Sequence, residues 1–180
     1  MSANRCDSHP RGIGQLVSIL AGMYLAVGLT GCNTVTTDSY EATALVKYTW
    51  QVEYSLSPAG EKMPRVESFA STSLLNRNGQ KPEGAVTGPD DKGLWWPALP
   101  PRPAVAEIEK RLQQPLEKAS APELRKTVEY QLTYLEDGQT VTLPTNYQVY
   151  RQVAKAHPSR TPLSLTLGAG DASVEKVEPQ

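Results

Sequence analysis

The sequence predicts an α+β domain: a small antiparallel sheet of about four strands, one main helix at about 104–118 and a long proline-rich loop. Three observations carry this prediction. Residues 46–56 alternate strictly between apolar and polar side chains. Two further alternating runs flank Asp137-Gly138. Between these strand signals lies a stretch dense in proline and glycine, followed by apolar residues at helical spacing.

In residues 46–56, Val46, Tyr48, Trp50, Val52, Tyr54 and Leu56 point one way, and Lys47, Thr49, Gln51, Glu53 and Ser55 the other. A period of two with aromatic and β-branched residues is the signature of a strand with one buried face. Ser57-Pro58-Ala59-Gly60 ends it. Residues 66–76 predict a poorer second strand around Val66, Phe69 and Leu74. Residues 76–103 read as an irregular excursion with Asn78-Gly79, Gly88-Pro89, Trp95-Trp96-Pro97 and a polyproline-like end at Pro100-Pro101-Arg102-Pro103. In 104–118, Val105, Ile108 and Leu112 share a helical face, and Pro115 ends or kinks the helix. Ser120-Ala121-Pro122-Glu123 has the spacing of a capping box, so a short helical turn is expected to follow.

The hairpin over 126–136 and 139–149 has a two-residue loop at Asp137-Gly138, which suits a type I′ turn. This register pairs Tyr134 with Val141, Leu132 with Leu143, Tyr130 with Thr145 and Val128 with Tyr147, leaving one face almost wholly apolar. Residues 147–157 fit either a strand or a helix. Leu163, Leu165 and Leu167 predict a last strand, and 169–180 read as a flexible polar tail.

The N-terminal segment is of another kind. Arg5 and Arg11 precede an apolar run over 16–29, which is interrupted only by Ser18 and Tyr24. The run is shorter than the roughly 20 residues of a membrane-spanning helix and suits a signal-peptide core of about 7–15. It ends in Leu29-Thr30-Gly31-Cys32, which resembles the lipobox of bacterial lipoproteins; the resemblance covers residues 1–32. It implies that 1–31 are a signal peptide cut between Gly31 and Cys32, and that the Cys32 thiol carries a diacylglyceryl group. Residues 32–41 would then be a lipidated cysteine and tether, with the globular domain at 42–168. A single acyl chain holds a membrane only marginally, whereas two or three anchor stably. Two plainer readings of the residues stand beside this one: a simple signal peptide, or an uncleaved anchor helix over 12–31. The resemblance places the chain in the bacterial envelope, facing the periplasm or the exterior. Asn33, rather than Asp, after the cysteine favours the outer membrane over the inner.

Composition narrows the function. Lysine and arginine number 18 and acidic residues 19, giving a net charge of −1, so no bulk charge favours nucleic acid. After cleavage the chain keeps one histidine, His157, and an acylated cysteine. That set offers no zinc site and no nucleophile–base pair, and no cofactor is expected. Asp90-Asp91 lack the ligand spacing of a calcium loop. Glu107 and Glu109 do not face each other on a helix, and Glu136 and Asp137 sit at a turn.

The aromatics are the better candidates. Tyr48, Trp50, Tyr54, Tyr130, Tyr134 and Tyr147 fall on apolar sheet faces, where they are either core or the lining of a ligand pocket. Trp95 and Trp96 are neighbours in an extended segment and so point to opposite sides. One is free to cover the sheet edge while the other meets a partner or the membrane interface; the plainer reading is a loop stapled onto the domain by its tryptophans. The expectation is a non-enzymatic lipoprotein, bound to the membrane through Cys32 and engaging an envelope protein. The alternative is a binder of glycan, lipid or peptide on the tyrosine face, and third a carboxylate-based hydrolase.

Overall fold

The computed structural model describes residues 33–56 and 64–180. The signal segment, Gly31, Cys32 and the turn expected at 57–60 lie outside the described residues. In chain order the elements are β1 (Thr34–Thr37), β2 (Tyr40–Ser55), β3 (Arg65–Arg77), α1 (Val105–Glu109), β4 (Lys118–Ala119), β5 (Glu123–Glu136), β6 (Gln139–Thr145), α2 (Tyr147–Ala156), β7 (Leu163–Leu167) and β8 (Val174–Pro179).

The expected four-stranded antiparallel sheet is corrected to one eight-stranded mixed sheet. Its order is β1-β7-β8-β6-β5-β2-β3, with β4 also paired to β2. Every ladder among the described residues is antiparallel except the contact of β6 with β8, at Thr145 and Val174. Three of the added strands escape a reading of periodicity because they are short and polar. Residues 33–41, read as tether, contain β1 and the start of β2. Residues 169–180, read as tail, form a 3₁₀ turn and then β8, with Val174 and Val177 buried. The register of β7 with β8 shifts between Thr166 and Leu167, so these valines fall three apart and break the period of two. The capping-box segment is not helical: the Glu53 amide donates to Ser120 Oγ (3.0 Å) beside β4.

The helix expected at 104–118 is also corrected. Only Val105–Glu109 is helical, no side chain caps it, and Ile108 alone is buried. Leu112, expected on the same apolar face, is 39% exposed. A segment that buries one residue and meets Pro115 gains too little packing to extend past its first turns. The main helix is α2. Its N-cap, Asn146, accepts a hydrogen bond from the Val149 amide (3.0 Å). Val149, Tyr150, Val153 and Ala156 make its buried face.

The hairpin of β5 and β6 pairs Tyr134 with Val141, Leu132 with Leu143 and Tyr130 with Thr145. Asp137 and Gly138 both have positive φ (49° and 79°), as a type I′ turn requires. The second strand stops at Thr145, because Asn146 starts α2; Val128 pairs instead with Val46 across β2. Along β3, Ser71 pairs with Thr49 but Ser68 pairs with Gln51, so β3 carries an extra residue at Phe69-Ala70. This bulge turns Glu67 and Arg65 to the face of Val52 and Tyr54 and leaves Val66 49% exposed.

The sheet curls. β1 leads directly into β2, yet it pairs with β7 at the far end of the strand order. The Leu135 amide donates to Ser39 O (3.0 Å), and Thr37 Oγ1 donates to Leu135 O (3.0 Å), bringing β1 back beside β5. α2 lies against β2, β5 and β8 within this curl. There Ala42, Ala44, Val46, Leu132, Leu163, Leu165 and Val174 join its buried face in one apolar cluster. A smaller cluster of Val52, Tyr54 and Ile108 lies beyond the bulge.

Candidate functional site

The excursion 76–103 is strapped to the sheet by named polar bonds. Asn76, buried on β3, brackets the Trp95 backbone: the Trp95 amide donates to Asn76 Oδ1 (2.8 Å), and Asn76 Nδ2 donates to Trp95 O (3.0 Å). Asp90 organises the turn before it. Its Oδ1 accepts from the Lys92 and Leu94 amides (both 2.9 Å), and its Oδ2 accepts from Trp96 Nε1 (2.8 Å). Farther along, Thr72 Oγ1 donates to Ala98 O (2.6 Å) and Trp50 Nε1 donates to Pro100 O (3.0 Å).

These straps separate the two candidate tryptophans. Trp96 is 8% exposed, with its ring centroid 4.9 Å from that of Tyr48; it is part of the core. Trp95 is half-buried and lines a cleft.

The tyrosine face is packed. Tyr48, Tyr54 and Tyr134 are buried, and Trp50 is half-buried under the Pro100 strap. Tyr130 is half-buried against Tyr150 and Tyr147, with centroids 5.5 and 6.3 Å away. Burial, reinforced by the Asp90 charge, pushes the Tyr130 phenol up to about 12. Burial also raises Tyr54, Tyr134 and Tyr150. These phenols stay protonated at neutral pH and act as packed rings with a donor at the tip.

The cleft has a volume of about 570 Å³ and lies between the excursion and the exposed side of α2. Trp95 gives it aromatic surface, Tyr150 lies buried behind its wall, and Lys92, Arg151 and Lys155 give it cations. Gly79 closes one end at φ +71°, where a Cβ would lie 3.2 Å from the Ala154 Cβ. Its amide donates to the Tyr150 hydroxyl (3.2 Å). Lys81 adds a further cation, with Nζ 5.3 Å from the Trp95 ring centroid. Of the two acids in the cleft, Asp90 is occupied by its three donors, which leaves Asp91. Among the described residues neither Lys92 nor Lys155 is ion-paired. The cleft can therefore hold an apolar group on Trp95 and carboxylates on its rim.

His157 follows α2 and stands edge-on to Tyr40 at 6.5 Å. Glu107 and Glu109 are exposed on α1. Among the described residues, no group of three or more His, Cys, Asp or Glu is placed to hold a metal ion.

A charged cluster beyond the bulge has no counterpart in the sequence reading. Arg65 bonds Glu67, and its Nη2 reaches Glu117 Oε1 at 3.0 Å; Arg111 bonds Glu67 Oε2 at 3.0 Å. The Arg65 guanidinium lies 4.3 Å from the Tyr54 centroid and that of Arg111 3.8 Å from Phe69, so the cluster caps the smaller core. The Gln113 amide (2.6 Å) and then Arg65 hold the Glu117 carboxyl below its ordinary value of 4.5. A depressed carboxylate contributes stability that is complete above its unfolded value and is lost as pH falls through the folded one. Glu117→Gln is therefore expected to flatten the acid side of the stability–pH curve below about pH 4.5. Urea unfolding at a series of pH values reads this; an unchanged acid slope would show that Glu117 carries none of the effect.

Comparison of the chain with protein-family models, with curated proteins and with solved structures yields no match.

Proposed function

We propose that this chain is a lipoprotein of a bacterial envelope, anchored by lipid on Cys32, whose folded domain is a non-catalytic interaction module. The Trp95 cleft is the observation that carries the reading. A half-buried tryptophan on a strapped loop, with Lys81 over its ring and Lys92, Arg151 and Lys155 lining the same cleft, has the makeup of a binding hot spot. The partner that fits is an acidic segment of another envelope protein, with an apolar side chain against the indole and carboxylates toward the cations. The tyrosine face is occupied by the protein's own core and offers no comparable surface.

Cross-linking in the native cell, followed by purification of the complex from detergent-solubilised membranes, tests the reading. Trp95→Ala is expected to weaken partner capture roughly tenfold or more, since tryptophan hot spots contribute about 2 kcal/mol or above. Its folding should change little, because the bonds to Asn76 use only the Trp95 backbone. Lys155→Glu should weaken capture in the same direction. Undiminished capture by both variants, with fold intact, would exclude the cleft as the docking site.

A further inference from the structure

We infer that the lipid anchor holds the domain flush against the bilayer, with one fixed side of the sheet turned to the headgroups. The inference rests on the proposed lipidation of Cys32, and it replaces the flexible tether expected from the sequence.

Asn33, the residue after Cys32, is already part of the fold. Its carbonyl accepts from the Leu167 amide (2.8 Å), and its Nδ2 donates to Asp171 Oδ2 (3.0 Å). Thr34 then pairs with Thr166 as the first rung of β1 on β7, and the ladder runs to Thr37 opposite Leu163. Consecutive Cα atoms are about 3.8 Å apart, so the lipid-bearing residue stands one step from fixed backbone. A free tether of a dozen residues would give a reach of about 20 Å; here no residue intervenes. The side beside Asn33 is the 3₁₀ turn Ala169–Asp171, flanked by Gly168 and Ala172. Its exposed residues are Ala169, Gly170, Asp171 and Ala172, all short, with the one carboxylate bonded to Asn33, so it can approach a headgroup layer closely.

The topology sets which parts face away. Following the ladders from β1 through β7, β8, β6 and β5 to β2 crosses four antiparallel pairings and one parallel one, so β1 and β2 run in the same sense. The long arm of β2, β3 and β5 therefore projects away from Asn33. α2 begins on the bilayer side, where Asn146 Nδ2 donates to Glu175 O (3.0 Å) beside Val174. It ends near Leu163, opposite the far end of β1. Arg151 and Lys155, which line the cleft, lie in its later turns and are carried away from the membrane toward a partner.

The test uses the full-length protein in bacterial membrane vesicles whose envelope-facing side is exposed to reagent. Single cysteines are introduced as Ala169→Cys and Ala172→Cys at the proposed contact, and as Val86→Cys and Leu99→Cys on exposed parts of the excursion. Each is reacted with a membrane-impermeant maleimide, and its rate is divided by the rate in detergent. Reaction at 169 and 172 should be several-fold slower than at 86 and 99. Inserting a Gly/Ser segment of about a dozen residues, led by Asn, after Cys32 should abolish the difference. Equal rates at all four sites on membrane-bound, acylated protein would overturn the flush orientation and leave the lipoprotein reading standing. Protein recovered without acyl label and outside the membrane fraction would overturn both.

Discussion

Asn76→Ala is expected to lower the unfolding free energy by about 3–5 kcal/mol, measured by urea denaturation of the purified protein. Asn76 is 0% exposed, yet its side chain is polar. It is tolerated there because its amide is fully engaged: it accepts from the Trp95 amide, donates to Trp95 O, and approaches Ala44 O at 3.4 Å. Among the described residues the Trp95 backbone has no ladder partner of its own, while Trp96 next to it pairs with Thr87. Removing the side chain strands an N–H and a C=O where water cannot readily replace it, at about 1–3 kcal/mol each. Asn76→Asp is the informative companion. It keeps the acceptor for the Trp95 amide but sets a carboxylate against Trp95 O, so it should also destabilise strongly. A loss below about 1 kcal/mol in both variants would show that the excursion is held by its apolar contacts alone.

The straps also explain which parts of the molecule could be read in the sequence. Strands whose one face is buried by near neighbours announced themselves. Val46, Tyr48, Val52 and Tyr54 on β2 are buried as their alternation required, and the Asp137-Gly138 turn fixes the observed register from Tyr130 to Tyr134. β1 and β8 did not: β1 owes its place to a partner distant in sequence, as when Thr34 meets Thr166, and β8, though it follows its partner β7 closely, has its two buried valines three apart across the register shift. Four residues with one valine, Thr34-Val35-Thr36-Thr37, carry no local signal for a strand that is completed from the other end of the chain. The candidate site divides in the same way. The Trp95-Trp96 pair implied one ring in and one out by backbone geometry alone; Trp96 is buried and Trp95 is half-buried. Lys92, Arg151 and Lys155 come together from two distant segments, so no motif could mark them. Asn76 read as the start of a loop, because its role depends on where the loop returns.

The helices give the sharpest contrast and the second large prediction. Local spacing favoured Val105 as the first residue of an apolar face, yet Val105 is 70% exposed, while Val153 on α2 is 0% exposed. Val153→Asp is expected to cost more than about 4 kcal/mol, enough to unfold many domains of this size. Losing the buried valine removes about 1.5–3 kcal/mol. The carboxyl must then remain protonated or drag water into a cluster shared with Ala44, Leu132 and Leu165. Val105→Asp should stay within about 0.5 kcal/mol of the parent, since it changes a solvated side chain at the first turn of a five-residue helix. An acid at that end also meets the partial positive charge of the helix N-terminus. The two variants make the same chemical change at two valines, so their difference isolates burial. The opposite ranking would mean that 104–118 packs as the main helix and that α2 lies outside the core. The expected ranking would place the stabilising helix between the hairpin and β7, where the curl of the sheet closes around it.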